Sequence, residues 1–220
     1  MRSISFRGVF PATRAVVFAG FFILLVISST AIGVPIVLHN TGLTTAGTPA
    51  SAGAVDSNYA MISSSNPDYP GPAVIEFDLP GGYQPDSSTA QWIGPVADGS
   101  SITGDRGQGT IIYSTSFDLT GMNPATASIT GHWITDDNGL TILINGQNSG
   151  NAPTTVEQIA PFSITSGFQP GINTLDFVVF NTGGATGLFV EMSGSATPEP
   201  ASLSLLGFGV MGLLARRRRN

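Results

Sequence analysis

The sequence predicts an all-β chain, an antiparallel jelly-roll or β-sandwich, flanked by an N-terminal signal helix and a short C-terminal transmembrane helix. Three observations point there. Apolar and polar residues alternate with period two in run after run between residues 58 and 197. Glycine, asparagine and proline turns separate those runs. No stretch in that interval holds a helical period over eleven residues, so strands follow strands without crossover helices.

In chain order, residues 1–33 read as a signal peptide. Arg2, Arg7 and Arg14 form a basic start, and Ala15–Ser28 is an uncharged apolar run too short to span a bilayer comfortably. Small residues at Ala31 and Gly33 allow cleavage before Val34, and Ser29 and Ala31 offer a cut after Ala31. Export through the Sec translocon and cleavage by signal peptidase are thus expected. Residues 34–57, rich in Thr, Ala, Gly and Ser, read as a flexible leader with room for one short strand at Pro35–Leu38.

Residues 58–196 carry the sandwich. Ala73–Leu79 is its first strong strand. Ile111, Tyr113, Phe117 and Leu119 share one face of the next, with Ser114, Ser116 and Asp118 opposite. Ala127, Ile129, Gly131 and Trp133 fall on one face, Ser128, Thr130 and His132 on the other. Leu140, Ile142 and Ile144 alternate with Thr141, Leu143 and Asn145; Leu175, Phe177 and Val179 make another face, as do Leu188, Val190 and Met192. Asp136–Gly146 reads as a hairpin segment, with a tight Asp-Asn-Gly turn feeding a strand that ends in Asn145-Gly146.

The C-terminal segment, 197–220, joins Pro198-Glu199-Pro200 to the apolar stretch Ala201–Ala215 and then to Arg216, Arg217, Arg218 and Arg219. As a helix the apolar stretch is about 22 Å long, short of a ~30 Å hydrocarbon layer unless the arginines snorkel. The positive-inside rule puts both arginine-bearing ends in the cytoplasm and the middle outside. The charge distribution agrees: residues 34–197 hold thirteen acids against Arg106 alone, a net −12 within a chain of −6. So anionic a domain has no footprint for phosphate backbones, which argues against nucleic-acid binding. With no cysteine there is no disulfide, thiolate metal site or cysteine nucleophile.

This ordered trio of Thr197-Pro198-Glu199-Pro200, apolar stretch and arginine block resembles the PEP-CTERM sorting signal. The resemblance implies an exosortase-type membrane protease as partner, cleavage near Pro-Glu-Pro, transient anchoring in the inner membrane, and delivery to the cell surface or extracellular matrix. It also implies association with exopolysaccharide and biofilm. The runs Tyr113–Leu119, Ala127–Asn145, Gly171–Asn181 and Gly187–Glu191 are similar to galactose-binding-like jelly rolls over roughly 110–193. That likeness implies a fold and, by analogy, a tendency to bind carbohydrate.

Candidate ligand-binding residues are Trp92, Trp133, Asp136, Asp137 and Asn138. Aromatic rings offer sugars a stacking face, and Tyr83 and Tyr113 join the tryptophans on that ground; phase assigns Trp133 to the core. Asp136 and Asp137 with Asn138 gather the hard oxygen donors that Ca²⁺ takes, although the calcium-loop spacing is missing and Asp-Asn-Gly is also a good turn. Glu157, Asp105 or Asp98 complete such a site only if the fold gathers them. No cofactor is otherwise expected. Gly104–Gly109 lacks the lysine and following helix of a phosphate loop. Catalysis has little support: there is no Gly-x-Ser-x-Gly elbow, His39 and His132 are the only imidazoles, and adjacent Asp136 and Asp137 would point to opposite strand faces. The expectation is a non-catalytic exported surface or matrix protein, with a secreted glycan-active enzyme and a ligand-free structural protein as alternatives.

Overall fold

A computed structural model of the chain describes residues 32–66, 69, 71–77, 83–99, 108–156, 158–199 and 209. Residues 1–31, the apolar stretch after Pro200 apart from Gly209, and the arginine block lie outside them, as do Pro200, Asp105, Arg106 and Glu157. Among the described residues no helix is long and apolar enough to cross a membrane.

Twelve strands are described: β1 (Val34–Pro35), β2 (Ala60–Ser64), β3 (Val74–Ile75), β4 (Ile93–Gly94), β5 (Gly109–Asp118), β6 (Ser128–Asp136), β7 (Asn138–Ile144), β8 (Gln147–Asn148), β9 (Thr154–Thr155), β10 (Ala160–Ile164), β11 (Ile172–Asn181) and β12 (Gly187–Ala196). They form two sheets. One runs β10-β6-β12-β4-β3 with β1 on β12; the other runs β2-β5-β11-β7-β8 with β9 on β7. Every strand pair is antiparallel. The long strands β5, β6 and β7, and again β10, β11 and β12, alternate between the sheets, so the chain winds around one core. The chain is thus the all-β sandwich its period-two pattern predicts.

The core lies between the inner faces, where Ile111, Tyr113, Ile129, Trp133, Ile142, Leu175, Phe177, Leu188 and Val190 are fully buried. Trp133 and Phe162 both pack on the Phe177 ring, with centroids 5.9 and 6.2 Å away. Each such side chain contributes about 1.5–3 kcal/mol by leaving water.

Three local expectations are corrected. Asp136–Gly146 is not a hairpin off β6, because β6 and β7 belong to opposite sheets and the chain crosses between them at Asp137. The two-residue hairpin lies one strand later: Asn145 (φ 50°) and Gly146 (φ 76°) join β7 to β8, the two positive φ values such a turn requires. Leu140 does not share the buried face of Ile142 and Ile144. A register shift opposite Val178 and Val179 leaves it out of the pairing and 45 % exposed, while Gly139 turns inward under the Trp133 ring. Within the described part of the Ala73–Leu79 run, 73–77, regular pairing is confined to Val74–Ile75, with an isolated bridge at Phe77.

Residues 34–57, expected as a leader, are held against the domain. Val34 pairs with Ala196, Ile36 N–H donates to the Gly194 carbonyl, and Thr41 bonds Val190 through both backbone and hydroxyl. Buried Asp56 accepts the N–H groups of Gly42, Asn58 and Tyr59 at 2.7–2.9 Å.

Candidate functional site

At one end of the sandwich, where β6 crosses to β7, carboxyl groups gather. Asp136 ends β6, and its carboxylate accepts a hydrogen bond from the Tyr83 hydroxyl. The Thr186 hydroxyl donates to the Asp136 carbonyl at 2.7 Å. Asp137 turns the other way and accepts both the N–H and the hydroxyl of Thr182. Asn138 opens β7 between Phe180 of β11 and Thr155 of β9.

Behind Asp136 lies Glu76, just past β3 and 2 % exposed. Its carboxyl rests on glycine: a Cβ at position 94 would overlap Oε1, and one at 187 would lie 2.9 Å from Oε2. Among the described residues Glu76 Oε1 has no hydrogen-bond partner. Burial pushes this carboxyl well above its usual range, and the charges of Asp136 and Asp86 add to the effect. Asp136 is pushed up to about 7, chiefly by burial and also by Asp137, against the opposing hydrogen bond from Tyr83. Burial likewise raises Asp86, against the Trp92 N–H and Gln91. Burial thus disfavours the ionised form of all three carboxyls. Among the described residues no group of three or more His, Asp or Glu is placed to hold a metal ion.

Both tryptophans are fully buried. Trp133 is a core residue. Trp92 lies on the outer face of the first sheet in a separate cluster with Ala90, Ile134 and Phe189. Tyr83 covers it at 4.8 Å between centroids, and its indole N–H donates to the Gln84 carbonyl at 2.7 Å. Neither ring presents a face to solvent in this structure. Tyr113 is also buried, in the main core.

His132 lies further along the same outer face. Its Nε2 is 2.7 Å from Glu191 Oε2, and the other Glu191 oxygen accepts from the Ser87 and Thr89 hydroxyls. Burial alone would raise Glu191; the hydrogen bonds from Thr89, Ser87 and His132 hold it below its usual range. The acid stands between imidazole and serine. Nucleophile activation requires the imidazole in the middle, so this trio is a surface tether for the 87–90 segment. On the second sheet, an open cleft of about 420 Å³ runs along β2 and β5, with Ser57, Asn58, Ser114 and Ser116 as polar lining and Met61 and Ile62 as apolar lining.

Sequence reading missed Glu76, Tyr83's bond to Asp136, and the His132–Glu191 pair. A charged residue inside the apolar run Ala73–Leu79 was the available signal for Glu76. The other two join positions 53 and 59 residues apart, beyond any local pattern.

The sorting segment leaves β12 directly. Thr197 follows the last paired residue, Pro198 forms a bridge with Met122, and the Glu199 N–H donates to the Gly121 carbonyl at 2.9 Å. Comparison with known proteins gives three results. No curated protein matches the chain. One solved structure, that of CBM35 from Paenibacillus barcinonensis, is similar at 19 % identity over 60 % of this chain and 95 % of that one, with a TM-score of 0.29, too loose a superposition to carry an argument about ligands. A family model described as the PEP-CTERM protein-sorting motif matches residues 196–219. The chain therefore carries a PEP-CTERM sorting motif fused without a spacer to the final strand of a β-sandwich.

Proposed function

We propose that this is an exported, non-catalytic protein of the cell surface or extracellular matrix, delivered by an exosortase-type membrane protease. The sorting motif at 196–219 carries the reading. Signal peptidase acts first at the N-terminus; the C-terminal apolar stretch then holds the chain in the inner membrane until the protease cuts near Pro198-Glu199-Pro200. The acidic sandwich is the part that acts outside, in association with exopolysaccharide and the biofilm matrix.

Its work there is contact with glycan. Support comes from the carboxylate and amide of Asp137 and Asn138 at the corner and from the hydroxyl and amide groups along the β2–β5 cleft; the contact is polar, since both tryptophan rings are covered. Ca²⁺ is the ion to test, on the hard oxygen donors of Asp136, Asp137 and Asn138. The deciding experiment is retention of the protein on the producing cell's exopolysaccharide, with and without Ca²⁺. Retention weakened in Asp137→Ala supports the reading; no retention on any matrix glycan removes the carbohydrate part. Hydrolysis of that polysaccharide, lost in Asp137→Asn, would favour the enzyme alternative.

A further inference from the structure

We propose that the loop from Gly121 to Thr126 is a dock for this chain's own sorting motif, and that the motif must leave the dock before it can be processed. The proposal rests on the sorting reading above and adds a step that limits it.

The argument is an inventory of backbone donors and acceptors. Residues 197–200 contain two prolines, which have no N–H, so the segment has only two donors, at Thr197 and Glu199. Both are taken. The Thr197 N–H donates to the Thr126 hydroxyl at 2.9 Å, and the Glu199 N–H to the Gly121 carbonyl at 2.9 Å. The Thr197 carbonyl accepts from the Asn123 N–H at 2.8 Å, and Met122 bridges Pro198. Residues 197–199 thus make an isolated antiparallel bridge on a loop of their own domain.

The loop is shaped for this contact. Gly121 takes φ 76°, in the left-handed region, where its carbonyl meets the Glu199 N–H. Asn123 caps the turn Pro124–Thr126 by accepting the Ala125 N–H, which leaves its own N–H for Thr197. Thr126 is the hub. Its hydroxyl donates to the Asn123 carbonyl at 2.8 Å and lies 2.9 Å from both the N–H and the hydroxyl of Thr197. A hydroxyl offers one donor and two acceptor sites, so all three are used.

A protease that holds its substrate as an extended strand needs those same backbone groups. Upstream the chain cannot yield, because residues through Ala196 are locked between β6 and β1. Among the described motif residues, 197–199 are the part held by the dock alone. The docked motif is latent, and processing proceeds from the undocked fraction.

The test uses the full chain and two readouts. In cells that process the protein, pulse-chase labelling follows conversion of wild type, Thr126→Val, Thr126→Ser and Glu199→Ala. Valine keeps the shape but removes the two bonds between Thr126 and Thr197 and the one to the Asn123 carbonyl, so processing should quicken about tenfold, while serine behaves as wild type. An unchanged or slower rate in Thr126→Val overturns the latency. Thr197→Val, which removes the hydroxyl from the motif side, should also quicken processing if Thr126→Val fails to fold; an unchanged rate there counts the same way. In detergent-solubilised full chain, hydrogen exchange at Thr197 and Glu199 reads docking without the protease. Wild-type amides should exchange slowly, and in Thr126→Val about tenfold faster; unprotected wild-type amides overturn the dock. If wild type and Glu199→Ala are alike in never being processed while both amides stay protected, the sorting reading fails and the dock stands as a structural contact.

Discussion

Replacing Asp136 by asparagine should stabilise the protein at alkaline pH. The Asp136 carboxyl is raised from the ordinary 3.8 to about 7, first by burial and then by Asp137. A raised carboxyl holds its proton more tightly folded than unfolded, so its share of the stability is complete below pH 3.8, declines as pH rises to about 7, and stays lost above. Over that interval the ionised group costs the folded state on the order of 4 kcal/mol; water reaching the corner reduces this to about 2 kcal/mol. Asparagine cannot ionise, and its amide oxygen can still accept the Tyr83 hydroxyl. Urea unfolding, followed by the fluorescence of the buried Trp92 and Trp133, should show Asp136→Asn about 2 kcal/mol more stable than wild type at pH 8, with most of the gain gone at pH 4. An equal difference at both pH values, or a variant less stable at pH 8, would refute the reasoning. The same measurement tests the cation: Ca²⁺ at Asp136 and Asp137 would stabilise wild type at pH 8 and do less for the variant.

Two further changes test the packing. Gly139→Ala puts a Cβ 2.6 Å from Trp133 Cη2 and 2.7 Å from Thr154 Cγ2, so thermal unfolding should show a loss of about 2 kcal/mol; a neutral outcome would mean that the register shift before β11's Val179 does not press Gly139 on the ring. Asp56→Ala strips acceptors from three N–H groups at Gly42, Asn58 and Tyr59 and should cost about 3 kcal/mol, with protease sensitivity appearing between residues 34 and 57; stability within 0.5 kcal/mol of wild type would show that this segment is not tied to the domain.

Much of the fold was legible because it is local. Period-two alternation located the inner faces of β5, β6, β11 and β12, since a half-buried strand must alternate. What failed was non-local. Asp136-Asp137-Asn138-Gly139 has the composition of a hairpin turn, yet the chain passes to the other sheet there, a choice fixed by pairing of β6 with β12 and β7 with β11. The bulge that exposes Leu140 is set by its partner strand, and no residue of β7 announces it. The leader looked loose because its hold is polar: Asp56 caps three backbone donors and Thr41 fills a gap beside β12, neither of which leaves a hydrophobic pattern.

The site was legible in its acids and not in its depth. Asp136, Asp137 and Asn138 do mark a corner, but the corner's most deeply buried carboxyl is Glu76, whose seat depends on Gly94 and Gly187, 18 and 111 residues away. Trp92 had no strand phase because the 83–91 segment, not a facing sheet, buries it. The sorting motif was the reverse case. Its three parts are contiguous, so sequence alone displayed them, while their hydrogen bonds to Gly121, Asn123 and Thr126 came only with the fold.

The most direct test of the account is the mass of the protein recovered from the cell surface and medium. The account predicts a chain that begins at Ile32 or Val34, ends near Pro198–Pro200 and lacks Arg216–Arg219, together with an unprocessed membrane-bound form that accumulates in Glu199→Ala. Recovery outside the cell of a chain that still ends at Asn220, in wild type and variant alike, would contradict it.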